Sequence, residues 1–160
     1  MKKYIYKIFL IIIVIFSTIY YTNTYKTNEG FKIKNKQTSK CIELNQNNPI
    51  NNNITITDCS NNNNQEWVYE NIFPNSSLYY IKNYDSSYCL NNNNNTINAT
   101  ICNERNKSQV WVTQNNNKNN SFQNLYNELY TTCMGIKNSI SNEVTMVKCN
   151  YNPLQQWNKV

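Results

Sequence analysis

Side chains equipped for covalent or metal chemistry are scarce in this sequence. It has no histidine, which removes most zinc sites and most nucleophile–base pairs. Its nine carboxylates are scattered, and spacing brings no two of them together as an acid and a base for glycoside hydrolysis. Catalysis, a metal and a cofactor are therefore not expected. The remaining material is six cysteines, an even number suited to disulfides, three tryptophans, and Asn at about a fifth of the 160 residues. A/T-rich codons account for much of that Asn excess. The Asn runs read as solvated loops rather than as a disordered tract, because Cys, Trp and β-branched residues interrupt them at regular intervals.

Those interruptions repeat. All three tryptophans end a Gln-x-Trp triplet, in Gln65-Glu66-Trp67, Gln109-Val110-Trp111 and Gln155-Gln156-Trp157. Successive tryptophans are 44 and 46 residues apart, so the period is near 45. A cysteine stands six or seven residues before each triplet (Cys59, Cys102, Cys149), and another opens each repeat (Cys41, Cys89, Cys133). Six residues before each opening cysteine lies an Asn (Asn35, Asn83, Asn127), and two further back an aliphatic residue (Ile33, Ile81, Leu125). An apolar residue follows each opening cysteine directly: Ile42, Leu90 and Met134. Because the same spacing recurs, equivalent local bridges are the expected connectivity: Cys41–Cys59, Cys89–Cys102 and Cys133–Cys149. Each closes a loop of 13 to 18 residues, worth about 3 kcal/mol in the chain-entropy account.

These groups need a frame, and the apolar pattern supplies one. Five and three residues before the closing cysteines stand Ile54 and Ile56, Ile97 and Ala99, Val144 and Met146, an alternation with the period of a strand. Four short strands per repeat, starting near Phe31, Lys40, Ile54 and Gln65 in the first, make about twelve. One repeat is too small to bury a face alone, so three must share a core about a pseudo-threefold axis. In that frame each Trp is a core anchor whose indole N–H needs a partner, and the Gln bonds into a neighbouring strand or loop.

Ahead of this body, Met1, Lys2, Lys3 and Lys7 precede an apolar run of 12 residues from Ile8 to Ile19. That length suits a signal-peptide core and falls short of a bilayer span. Residues 1–25 are expected to direct secretion and residues 26–160 to form the mature domain. An uncleaved membrane anchor is the alternative, since no Ala-x-Ala cleavage pattern is present. Removing 1–25 takes away Lys2, Lys3 and Lys7 and no acid, so the net charge falls from +6 to +3, too little to point to nucleic acid. In a secreted chain, the sequons at Asn53, Asn75, Asn94, Asn98, Asn106 and Asn119 are open to glycosylation wherever exposed.

From about Phe31 to Trp157 the sequence resembles the ricin B-type lectins, whose β-trefoil subdomains each end in Gln-x-Trp. The resemblance implies an all-β fold, a β-trefoil of three repeats at about 29–70, 77–113 and 121–160. It implies non-enzymatic binding of galactose-type sugars, xylan or related glycans in shallow pockets, without metal or cofactor. A pocket of that family takes an acid two residues after the opening cysteine, an aromatic platform two before the closing one, and the Asn-Gln pair that begins the triplet. Carboxylate and amide groups fix sugar hydroxyls, and a ring covers the apolar face of the pyranose. At these positions the first repeat has Glu43, Thr57, and Asn64 with Gln65; the second has Asn91, Thr100, and Ser108 with Gln109; the third has Gly135, Val147, and Leu154 with Gln155. The first repeat is thus the expected sugar site, Asn91 and Gln109 are further candidates, and Tyr69, Tyr84 or Tyr151 would supply a displaced platform. The rival expectation is a trefoil scaffold with decayed pockets that contacts another extracellular protein, in line with the non-aromatic Thr57, Thr100 and Val147.

Overall fold

Period-two alternation becomes twelve strands in the computed structural model, which describes residues 7, 11–15, 29–45, 52–115, 123–127, 132–150 and 152–160. The first repeat contributes β1 (Ile33–Asn35), β2 (Cys41–Asn45), β3 (Asn52–Thr57) and β4 (Trp67–Asn71). The second contributes β5 (Leu78–Asn83), β6 (Tyr88–Asn93), β7 (Thr96–Ile101) and β8 (Trp111–Asn115). The third contributes β9 (Gln123–Asn127), β10 (Thr132–Ile136), β11 (Val144–Val147) and β12 (Trp157–Lys159). Most of the expected leader, with Asn119 and Tyr151, lies outside the described residues; Ile11–Ile15 are helical. Among the described residues no helix is long and apolar enough to cross a membrane.

The fourth strand of each repeat starts at Trp, two residues later than the pattern implied. Gln65, Gln109 and Gln155 instead end one-turn 3-10 segments, Asn63–Gln65, Lys107–Gln109 and Pro153–Gln155. Each segment is capped by an Asn, at Asn62, Asn106 and Asn152, whose side chain accepts the backbone N–H two residues on. Asn is a preferred cap because its short amide reaches these orphan donors.

All pairings are antiparallel. Strands β1, β12, β9, β8, β5 and β4 form a barrel wall in that order. It closes through a bridge between Phe31 and Trp67, whose backbones exchange two N–H···O bonds of 2.9 Å. Across the barrel lie the hairpins β2–β3, β6–β7 and β10–β11. These hairpins touch one another through Asn52 opposite Ala99, Thr96 opposite Thr145, and Thr55 opposite Glu143. This is the β-trefoil that the resemblance implied, and its bridges are Cys41–Cys59, Cys89–Cys102 and Cys133–Cys149.

Trp67, Trp111 and Trp157 sit in one core with Ile42, Leu90 and Met134. Each indole N–H donates to the carbonyl of the residue after the opening cysteine: Trp67 to Ile42 at 3.3 Å, Trp111 to Leu90 at 3.0 Å, Trp157 to Met134 at 2.9 Å. The Asn run 91–95 departs from the solvated-loop reading. Asn91 and Asn92 are buried strand residues, and only Asn94 and Asn95 make the turn, with φ of 49° and 73°. That left-handed pair suits a two-residue hairpin, and Asn tolerates it better than other residues with a Cβ.

Candidate functional site

In all three repeats the buried Gln of the triplet clamps the loop around the closing cysteine. Its Oε1 accepts the N–H of the residue after that cysteine: Ser60 at 2.8 Å, Asn103 at 2.8 Å and Asn150 at 2.9 Å. Its Nε2 donates to the carbonyl of the residue before it: Asp58 at 3.0 Å, Ile101 at 3.0 Å and Lys148 at 2.9 Å. Thr57 and Thr100, at the family's platform positions, add hydroxyl acceptors at 2.7 Å to Gln65 and Gln109. The Gln is thus a structural clamp whose amide is consumed by the protein. Gln109→Ala should cost about 1–3 kcal/mol, the penalty of orphaning backbone groups it satisfies. Gln109→Glu should cost at least as much, since it turns a carboxylate oxygen onto the Ile101 carbonyl. Urea titration with disulfides intact measures both, and a change below about 0.5 kcal/mol would contradict the clamp.

Among the described residues, a carboxylate joins the clamp in the first repeat alone. Glu43, half-buried on β2, accepts at Oε2 from Gln65 Nε2 at 2.8 Å and from the Thr57 hydroxyl at 2.9 Å. Its Oε1 has no hydrogen-bond partner among the described residues. Asn64 lies in the adjoining 3-10 turn, where its backbone N–H is held by Asn62 Oδ1 at 3.3 Å. Register explains the convergence: β2 and β3 pair Glu43 with Thr55 and Cys41 with Thr57, placing Thr57 diagonally beside Glu43 on one face.

The second repeat does not join its two candidates. Asn91 donates to Asn98 Oδ1 at 2.9 Å and accepts from Asn106 Nδ2 at 3.1 Å, while Gln109 turns to Thr100. Two of the sequon asparagines, Asn98 and Asn106, are therefore tied into an amide chain with Asn91. Asn53, Asn75 and Asn94 are exposed, Asn75 and Asn94 in left-handed turns with φ of 61° and 49°. In the third repeat Gly135 replaces the acid. A Cβ there would lie 3.1 Å from Gln155 Cγ and 3.2 Å from Val147 Cγ2.

Of the displaced-platform candidates, Tyr69 has its faces occupied. It packs edge-on to Phe31 with centroids 4.8 Å apart, tilts against Tyr79 at 5.3 Å, and carries the Lys159 ammonium 3.8 Å from its centroid. Burial, with Tyr79 adding to it, raises the Tyr69 phenol well above its ordinary range, and desolvation lowers the Lys159 pKa. Tyr84 is half exposed and leans on Gly30.

Two concavities escaped the sequence reading. One of about 280 Å³ lies in the third repeat against Lys137, Val147, Lys148 and Gln155. The other, about 430 Å³, opens where the three hairpins meet, against Asn53, Thr55, Thr96, Ser141 and Glu143. Among the described residues no group of three or more Cys, Asp or Glu is placed to hold a metal ion.

A barrel capped by three hairpins, with a Gln clamp and a Trp anchor in each repeat, defines a disulfide-stapled β-trefoil of the lectin kind. The model of the ricin-type beta-trefoil lectin domain matches residues 29–157, and the chain belongs to that family. Similar solved structures include a designed 3-fold symmetric protein, ThreeFoil, with a TM-score of 0.71 and 15% identity over 82% of this chain and 97% of that one. SeviL bound to asialo-GM1 saccharide gives 0.67 and 14% over 84% and 98%. Hemolytic lectin CEL-III gives 0.67 and 18% over 82% of this chain and 30% of that one. At such identities the likeness speaks for the fold. No curated protein matches the chain by sequence.

Proposed function

We propose that the protein acts outside the cell as a non-enzymatic carbohydrate-binding protein, with a neutral sugar held in the first repeat. The observation that carries this reading is the Glu43 carboxylate, fixed at Oε2 by Gln65 and Thr57 while Oε1 remains to accept from sugar hydroxyls. A carboxylate oriented by its own hydrogen bonds has little rotamer freedom left to lose when a sugar arrives, which favours binding. Asn64 precedes Gln65 in the 3-10 turn as a further amide, and family membership agrees with the ligand class. An amino-terminal leader and three intra-repeat disulfides fit an oxidising, extracellular setting, where Asn53, Asn75 and Asn94 are the exposed sequons available for glycans.

A glycan array on disulfide-intact protein, followed by titration of the best neutral hit, tests the reading. Glu43→Ala should weaken binding about 10- to 100-fold, the loss of a charged hydrogen-bond acceptor at about 1.5–3 kcal/mol. The fold should persist, because Gln65 Nε2 keeps Thr57 and the Asp58 carbonyl. Undiminished binding by Glu43→Ala would refute the site. The competing scaffold reading draws on Thr57 and Thr100, which serve the Gln clamp instead of a sugar platform. It predicts no binding to any glycan and capture of an extracellular protein that free sugars do not release.

A further inference from the structure

The three repeats place different charges at equivalent positions. The Gln clamp fixes the equivalence, since its Nε2 reaches Asp58, Ile101 and Lys148 in turn, each the residue before the closing cysteine. Four residues after the opening cysteine stand Asn45, Asn93 and Lys137, and two after it Glu43, Asn91 and Gly135. The first repeat therefore carries two acids at these positions, Glu43 and Asp58, the second no charge, and the third two lysines, Lys137 and Lys148. At the third, a concavity of about 280 Å³ is bordered by both lysines.

From this inversion we infer that the third repeat binds an anionic saccharide, one bearing a carboxylate or a sulfate, through Lys137 and Lys148. The proposal rests on the carbohydrate-binding reading but not on the Glu43 site. Two asparagines border the concavity beside the lysines. Asn152 Oδ1 accepts the Leu154 N–H at 3.0 Å and Asn150 Oδ1 accepts the Asn152 N–H at 3.1 Å, which leaves the two amide nitrogens to donate. With two ammonium groups beside them, this lining matches a ligand whose oxygens only accept. Sugar hydroxyls alone both donate and accept and would leave the cationic lining unanswered. An acid at the family's position would require Gln155 and Val147 to shift, because a Cβ on Gly135 would lie 3.1 and 3.2 Å from their side chains. Among the described residues, Glu143 pairs with Lys137 at 3.7 Å. Both side chains are more than half exposed, so this pair competes weakly with a ligand.

Calorimetric titration of the disulfide-intact protein with galacturonate, galactose 6-sulfate, galactose and inorganic sulfate tests the assignment. At about 20 mM salt the better acidic sugar should bind about fivefold tighter than galactose, and most of that advantage should vanish at about 500 mM. The stronger of the two acidic ligands identifies the anion. The double variant Lys137→Gln with Lys148→Gln, both at exposed positions, should abolish the preference. Galactose binding undiminished by Glu43→Ala would condemn the first-repeat site and not this one, which is read from the effect of the lysine variant on the acidic sugar. Equal binding of acidic and neutral sugars, a preference that survives the double variant, or inorganic sulfate binding as well as the acidic sugars would each overturn it, the last showing an adventitious ion only.

Discussion

Trp111→Ala is expected to lower the unfolding free energy by about 3–5 kcal/mol, a large share of the roughly 5–15 kcal/mol that holds a domain of this size. Two losses combine. The indole is fully buried in the core it shares with Leu90, Trp67 and Trp157, so truncation leaves a void that a disulfide-stapled barrel cannot easily collapse. The Leu90 carbonyl also loses the donor that meets it at 3.0 Å. Trp111→Phe separates the two, since it retains most of the apolar volume and removes the N–H; its cost should be nearer 1–2 kcal/mol, about that of one orphaned buried carbonyl. Far-UV circular dichroism during urea unfolding gives both values. A cost for Trp111→Ala below about 1 kcal/mol would place the anchoring role elsewhere.

Replacing Cys41 and Cys59 together by Ala is expected to cost about 3 kcal/mol, through the unfolded chain regaining the entropy of an 18-residue loop. For a domain near 135 residues this corresponds to a fall in melting temperature of about 6–12 °C. The same account makes a sharper comparison. The Cys89–Cys102 bridge spans 13 residues, and logarithmic dependence on loop length predicts a cost only about 0.3 kcal/mol smaller. Calorimetry of the two double variants should show nearly equal losses. A difference above about 2 kcal/mol would mean that native packing around the sulfurs, not loop entropy, sets the contribution.

Much of the architecture is carried by spacing alone. A period near 45, recurrent cysteines and alternating apolar residues are properties of neighbours along the chain, and a repeat too small for a core of its own leaves threefold sharing as the economical fold. Hence the bridges and the tryptophan anchors were legible from the sequence, and the strands were placed to within about two residues. The site was legible only in outline. Glu43 and Gln65 were marked as candidates by position, but their contact at 2.8 Å depends on how β2, β3 and a 3-10 turn meet. Thr57 read as a missing platform, whereas its hydroxyl serves Glu43 and Gln65.

By itself, then, the sequence determined the threefold repeat, the disulfide pairs, the Trp anchors and the family, because each follows from local periodicity and covalent reach. Tertiary structure decided where polar groups find partners: that Gln65 is a clamp touching a carboxylate, that Asn91 turns to Asn98 and Asn106, that Phe31 closes the barrel onto Trp67, and that Lys159 covers Tyr69. Those outcomes join residues up to 90 positions apart, as Lys159 and Tyr69 are, and a hydrogen bond or ring contact is won or lost over about an ångström. No spacing rule along the chain resolves that distance.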